Sequence, residues 1–504
     1  MQLGPYDGRK KLSRCVACAA SHLKRSRLSS FTPTYWLAAD DATAAFYLQH
    51  FYAFVRRNDF AGKAAAVQQD LQHLGGLGPA TYLRDAMLAI GAMHAANMGR
   101  LSGAGYGRQR REALEYYAAA VSGLSRALAT TDGSVPPDAD LRDAVLWTTL
   151  FLGFYELMSE SPGQGWQLHM VHGTARALRA SGAASCRRGR ARTFFLQARV
   201  FEVFRAIVCS DATFLTEPEW TKLLEEMWVG EGDAAGVSRR RSQQEQDHHS
   251  SDSQPWHPLD ALLDLIALCT KLRFRIRGFL AQCQSGLLAE DAIAAEGCAI
   301  GDTARSLRRA LERWRDVHHD GFFSEFPGGP PGATQSAITA ITAITPPPDP
   351  PLLLGHIFCA AANAYLSGIF DYELDQWDGI GISVPTLTVD ALQQHVDAIL
   401  RYAAPALAST NISPVLLLFP LRIAGARSRY PHQRAEVLRL LGQVAQMYAA
   451  ADFYATHLQR LWGRLDADEA AMARARAEAR RARASGRTYV PAGVTVPVII
   501  RPRT

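Results

Sequence analysis

The sequence predicts an all-α fold, and three observations carry that expectation. Apolar residues recur at steps of three and four in window after window along the 504-residue chain. Alternating apolar and polar runs, the mark of half-buried strands, are almost absent. Hydrophobic residues make up 48% and charged residues 20% of the chain, enough apolar surface for helices to bury a core. At this length the core divides into several packed units or one elongated helical array.

Each segment can be read in order. In "REALEYYAAAVSGLSRAL" the large apolar residues Leu114, Tyr117, Val121, Leu124 and Leu128 fall on one helical stripe. "LRDAVLWTTLFLGFYELM", Leu141 to Met158, is apolar nearly all round and predicts a helix buried between others. Pro218 in "TEPEW" suits a helix start, with Thr216 as a possible cap. In "RAEVLRLLGQVAQMY" the helical period runs through Val437, Leu440, Leu441, Val444 and Met447. Trp166, Trp220 and Trp462 stand at helix boundaries as candidate core anchors.

Three stretches interrupt the helices. The polar run 231–255 and the Pro/Gly-rich, AIT-repeating run 326–351 are expected to be disordered loops. Residues 466–504 are expected to form a charged Ala/Arg/Glu helix without an apolar face, then an extended tail at "GVTVPVIIRP".

Composition narrows the function. A net charge of +6 is mild for this length and does not by itself imply nucleic acid. No apolar signal region opens the chain, and no uninterrupted apolar run reaches the roughly 20 residues of a membrane span. The longest candidate, "AVLWTTLFLGFYELM", stops short, so no membrane partner is expected. Beyond Cys15 and Cys18 the cysteines are scattered, at 186, 209, 269, 283, 298 and 359, and read as free thiols of a reducing compartment. The chain has no nucleophile elbow, phosphate loop or H-E-x-x-H, and "GAGYG" follows no strand, so no enzymatic activity is expected. His169 and His172 could share a helix face, without a nearby acid or thiol. His248, His249 and His257 sit in or beside a polar loop, where only adventitious metal affinity is expected.

The amino end carries the chemistry. Cys15 and Cys18 have the C-x-x-C spacing that lets two thiolates reach one zinc ion, but structural zinc takes four ligands. His22 could be a third, and nothing before Phe31 offers a fourth. Between Arg9 and Arg27 there are seven Lys or Arg and no Asp or Glu. Arg9, Lys10 and Lys11, then Lys24, Arg25 and Arg27, are spaced like a two-part nuclear import signal and could contact DNA phosphates.

Together these segments resemble the fungal zinc-cluster transcription factors, with their helical fungal-specific regulatory domain. Cys15, Cys18 and Lys24 match the opening of the six-cysteine module, but Arg25 stands where its third cysteine belongs and the last three are missing. "REALEYYAAAVSGLSRAL" followed by "DADLRD" resembles the family's EAL-x-x-Y helix and acidic loop. Tyr155, Glu156, Trp166, His169, Gly173 and Gly182 resemble a second motif. Phe214, Leu215, Pro218, Glu219 and Trp220 resemble a third, and "LLLFPLRIAGARS" with "LQRLW" a fourth. The likeness spans about residues 31–465, with 1–30 as a degenerate or truncated zinc-cluster segment.

The resemblance implies a nuclear regulator of metabolic or secondary-metabolite genes, a possible homodimer working with the transcription machinery or co-regulators. It implies zinc as cofactor only for an intact cluster. With Cys15 and Cys18 alone the site is incomplete, and DNA binding is expected to be weak or lost. The missing cysteines are explained either by true loss or by a segment skipped between "SHLK" and "SSFTPTYW". The competing expectation is a co-regulator that does not bind DNA, or a helical scaffold that holds a small molecule between its helices.

Overall fold

The computed structural model describes residues 41–58, 64–99, 105–129, 136, 138–159, 173–209, 211–228, 258–286, 288–318, 350–371, 373–409 and 412–484. Among them there are sixteen α-helices and no strand, as the periodicity predicts. The chain folds as two units, Met1–Glu202 with Lys222–Met227, and Val203–Thr221 with Trp228–Thr504.

The first unit is built from α1 (Asp41–Arg57), α2 (Ala64–Gly75), α3 (Thr81–Gly99), α4 (Tyr106–Ala129), α5 (Ala139–Met158), α6 (Ala175–Ser181) and the first part of α7 (Gly189–Cys209). The middle of α8 (Pro218–Trp228) belongs to it as well. Helix α3 lies at the centre, against α1, α4 and α5. Helix α5 starts in "DADLRD", where the Asp138 carboxylate accepts from the Leu141 N–H at 2.9 Å, a cap of the usual kind. From Asp143 onward nearly every α5 side chain is buried, as its all-round apolar sequence demands. Edge-to-face rings join it to its neighbours: Phe51 to Phe151 at 5.1 Å, Phe54 to Phe154 at 5.3 Å and Phe154 to Phe201 at 4.6 Å.

The apolar stripe on α4 is not the one expected. The buried face is Ala113, Tyr116, Ala120 and Leu124, while Leu114 is 52% exposed. The cause is close helix packing. At Gly123 an added Cβ would stand only 3.0 Å from the Tyr82 Cβ, so α3 and α4 meet along small residues and the bulky stripe turns aside. Of that stripe only Leu124 is fully buried.

The second unit comprises α9 (Pro258–Gln284), α10 (Glu290–Val317), α11 (Pro350–Asp371), α12 (Leu374–Gly379), α13 (Val389–Ser409), α14 (Leu418–Arg427), α15 (Pro431–Ala445) and α16 (Ala450–Ala484). Helix α11 is its axis, flanked by α9, α10, α13 and α14. It is 22 residues long and apolar enough to cross a membrane, with 94% of its most apolar window buried inside the protein. The expectation of no uninterrupted apolar run of that length holds, but the longest candidate it named, "AVLWTTLFLGFYELM", is shorter than this helix. Gly355, His356, Asn363 and Ser367 interrupt the apolar run without interrupting the helix, and the surrounding helices cover it.

Helix α15 buries Val437, Leu440, Leu441 and Val444 as its period predicts, and Met447, the last of the predicted set, is buried in the turn just beyond the helix. Trp220 and Trp462 are both core residues, and the Trp462 indole N–H donates to the Gly425 carbonyl at 2.9 Å. Pro218 does open α8, but Thr216 closes the short 3-10 turn Phe214–Thr216 that precedes it, and that turn is capped by Thr213, whose hydroxyl accepts from the Leu215 N–H. Thr216 instead donates to the Thr213 carbonyl.

Several expectations fall outside the described residues: the loop 231–255, most of 326–351, the zinc-cluster segment 1–30, the extended tail, Trp166, and His169, His172, His248, His249 and His257. Within 326–351 the last two residues, Pro350 and Pro351, already form the first turn of α11, where proline's fixed φ and missing N–H are tolerated.

Candidate functional site

Every residue singled out for metal or DNA, namely Cys15, Cys18, Arg9, Lys10, Lys11, Lys24, Arg25 and Arg27, lies outside the described residues. Among the described residues no group of three or more His, Cys, Asp or Glu is placed to hold a metal ion. Three of the scattered cysteines are buried, and burial pushes their thiols up, Cys186 to about 11 and Cys269 and Cys359 to about 12. Thiols so far from ionisation at neutral pH are packing residues rather than nucleophiles.

The site that geometry does define is a cleft of about 170 Å³ in the second unit. Its apolar wall comes from Tyr365 and Ile369 of α11 and Phe419 of α14, with three arginines around them. Arg273 donates to the Ile369 carbonyl at 2.9 Å and pairs with Glu373 at 3.5 Å. Arg422 donates to the Val208 carbonyl at 2.8 Å and lies over the Tyr454 ring, 5.5 Å from its centroid. Arg427 pairs with Asp371 at 3.0 Å, and both side chains are close to fully buried.

Asp371 closes the most apolar helix of the chain, so its charge requires local support. Ser367 Oγ donates to it at 3.0 Å and in turn accepts from the Leu387 N–H at 3.0 Å. Burial raises the Asp371 carboxyl above the ordinary carboxylate range, and the Arg427 guanidinium opposes that rise. Around the cleft, then, three guanidinium groups face two carboxylates, leaving an excess of positive charge beside an apolar wall. Such a pocket suits a small anion with an apolar body. Its volume is roughly that of a cavity able to hold a single benzene-sized ring. A second hollow, in the first unit beside Trp147 and Phe154, is about 20 Å³, too small for anything beyond one water.

Sequence reasoning missed this cleft, although part of the signal was present. Arg422 and Arg427 both lie within "LLLFPLRIAGARS", and Asp371 is the lone acid at the end of a long apolar helix. A different part of the motif pattern does assemble as a unit. Tyr117 of the EAL-x-x-Y segment stacks on Tyr155 with ring centroids 4.3 Å apart and donates to Glu156 at 2.6 Å. Burial and the Glu156 carboxylate both raise the Tyr117 hydroxyl well above its ordinary pKa, so it stays a donor.

The family model for the fungal specific transcription factor domain matches residues 74–472, most of the chain. The chain therefore belongs to the family of proteins that carry the fungal specific transcription factor domain, and is a fungal transcription regulator. No curated protein matches, and no solved structure matches.

Proposed function

We propose that this chain is a nuclear regulator of metabolic or secondary-metabolite genes whose own capacity to read DNA is weak or lost. One conjunction carries the reading. A regulatory domain matched over 74–472 follows an amino end with Cys15 and Cys18 and no further cysteine before Cys186. Two thiolates, even with His22, do not supply the four ligands of a tetrahedral zinc site, let alone a two-zinc cluster. The residues present therefore do not fit the metal, and no zinc-dependent step is derived from them.

In this reading residues 1–30 are the degenerate zinc-cluster segment, 31–465 the regulatory domain and 466–504 a charged appendage. The domain acts through a second copy of the chain, the transcription machinery or co-regulators. Lys10, Lys11, Lys24, Arg25 and Arg27 supply phosphate contacts, which give salt-sensitive affinity without sequence preference. In a fluorescence-anisotropy titration the full-length protein is expected to bind all duplexes alike, with dissociation constants near 10⁻⁶ M or weaker at physiological salt. Nanomolar, sequence-dependent binding that survives added salt would refute the proposal.

The cleft favours a second, compatible role: the domain holds a small anionic ligand whose occupancy is the signal it relays. Benzoate serves as probe, carrying one carboxylate on a ring of suitable size. At a hundredfold excess over its dissociation constant it is expected to stabilise the protein by about 2.7 kcal/mol. Benzyl alcohol, lacking the charge, is expected to shift the melting temperature far less, and Arg422→Met to remove the benzoate effect. Equal shifts from both probes, or none from benzoate at millimolar concentration, would sink this reading.

A further inference from the structure

The three arginines around the cleft are not equivalent, and the difference lies in what each charge already faces. Arg422 is half-buried, donates to the Val208 carbonyl and covers the Tyr454 ring. Among the described residues it has no carboxylate partner. Arg273 stands 3.5 Å from Glu373 and donates to the Ile369 carbonyl. Arg427 is held by Asp371 at 3.0 Å, with the two side chains only 11% and 9% exposed. A guanidinium without a carboxylate keeps its field for an incoming anion, whereas one paired in a dry site is already neutralised.

Asp371 is fixed in that position by a chain of donors. Its Oδ2 atom accepts from Ser367 Oγ at 3.0 Å as well as pairing with Arg427. Ser367 is fully buried, and its oxygen accepts from the Leu387 N–H at 3.0 Å, which turns the hydroxyl proton toward the carboxylate. The charge also stands at the last residue of α11, the end of a helix whose dipole disfavours an acid. Helix formation therefore gives no reason for an aspartate here. Its positive neighbours do: Arg427 on α14 in direct contact and Arg308 on α10 at longer range.

Three guanidinium groups and two carboxylates leave a single positive charge around the cleft. That excess attracts a monoanion weakly, so a bare ion with no apolar area to bury is not retained, while an anion that also covers the apolar wall is. On the reading of the cleft as a small-anion site, on which this rests, we propose that Asp371 is an internal competitor for the ligand. It occupies Arg427 with a carboxylate of the protein's own, and the ligand is held through Arg422 only when it brings an apolar body to Tyr365, Ile369 and Phe419. Neutralising Asp371 doubles the positive excess and releases the Arg427 charge to the cleft that Arg427 lines.

The test is isothermal titration calorimetry on the full-length protein at fixed ionic strength, with benzoate and benzyl alcohol as probes. Three chains are compared: the parent, Asp371→Asn, and Asp371→Asn/Arg427→Met. Asparagine keeps the shape of the side chain and an acceptor for Ser367. Asp371→Asn is expected to bind benzoate about tenfold more tightly than the parent, a difference of about 1.4 kcal/mol. Its affinity for uncharged benzyl alcohol is expected to stay the parent's, whereas a cleft that had merely loosened would shift both probes together. In the double variant two arginines face Glu373 alone, the single-charge excess returns, and parental benzoate affinity is expected. That variant exchanges the buried pair for neutral groups, which folds tolerate well, so it decides the matter even where Asp371→Asn alone does not fold. Benzoate binding by Asp371→Asn equal to or weaker than the parent's would overturn the inference. So would loss of benzoate binding by the double variant, which would put the ligand on Arg427 in the parent. Failure of both the parent and Asp371→Asn to bind benzoate at millimolar concentration would instead overturn the reading of the cleft as an anion site.

Discussion

Replacing Gly91 with alanine is expected to destabilise the first unit by about 3 kcal/mol, despite alanine's advantage in helices. Alanine in mid-helix is favoured over glycine by about 1 kcal/mol, so the naive expectation is a gain. Gly91 sits in α3 where α1 crosses it, and a Cβ built there would overlap the Tyr47 carbonyl, with the Phe51 amide nitrogen at 3.3 Å. The obstacle is backbone on a neighbouring helix, which cannot rotate away as a side chain can. Relief requires α1 to move off α3, and that loosens Phe51 and Phe54, two fully buried rings that join α1 to α5. Gly442 on α15 is the control, since a Cβ there meets nothing within 4 Å. Gly442→Ala is expected to stabilise by up to about 1 kcal/mol. Thermal denaturation should place Gly91→Ala about 10 °C below the parent. A melting temperature at or above the parent's would mean that α1 and α3 do not meet as described.

Asp371→Ala is expected to have a comparable effect on the second unit. The carboxylate is the partner of Arg427 at 3.0 Å and the acceptor for Ser367 at 3.0 Å, at the end of the unit's central helix. Removing one member of a buried ion pair leaves the other charge desolvated and costs about 3–5 kcal/mol. Asp371→Asn keeps the shape and an acceptor for Ser367, so a smaller loss is expected. Arg427→Met in the Asp371→Asn background replaces the pair by neutral groups and is expected to recover part of the stability. Urea denaturation of the three variants separates these terms. Equal stability of Asp371→Ala and the parent would show that the pair carries no weight in the fold.

Some of this architecture could be read from the sequence because single helices declare their own burial. The all-round apolar run of α5 and the clean period of α15 correspond to buried faces because each helix packs large side chains outward on every side it covers. Helix α4 shows the limit. Its large residues trace a stripe, yet the face that packs is Ala113, Tyr116, Ala120 and Leu124, with Gly123 beside it allowing the close approach of Tyr82. Hydrophobicity alone does not register smallness as a packing signal. Helix α11 was hidden for a related reason, since Gly355, His356 and Asn363 break the apolar run while remaining buried in the helix. At Gly355 the absent side chain makes room for the Trp314 ring, which an added Cβ would meet at 2.6 Å.

The cleft was the least legible feature. Arg273, Arg422, Arg427 and Asp371 are separated by up to 154 positions and come together only through α9, α11 and α14. No spacing rule links an arginine to a partner that tertiary packing brings beside it. The family motifs were legible as a pattern, and Tyr117, Tyr155 and Glu156, taken from two of them, meet in one half-buried contact. The amino-terminal cysteines had the opposite standing, fully visible as a spacing and outside the described residues.

The most direct test of the central claim is the zinc content of the purified full-length protein, with and without Cys15→Ser and Cys18→Ser. An incomplete cluster predicts a value near zero per chain, unchanged in the variant. About two zinc ions per chain, lost when the two cysteines are replaced, would contradict the account and establish a working metal module at the amino end.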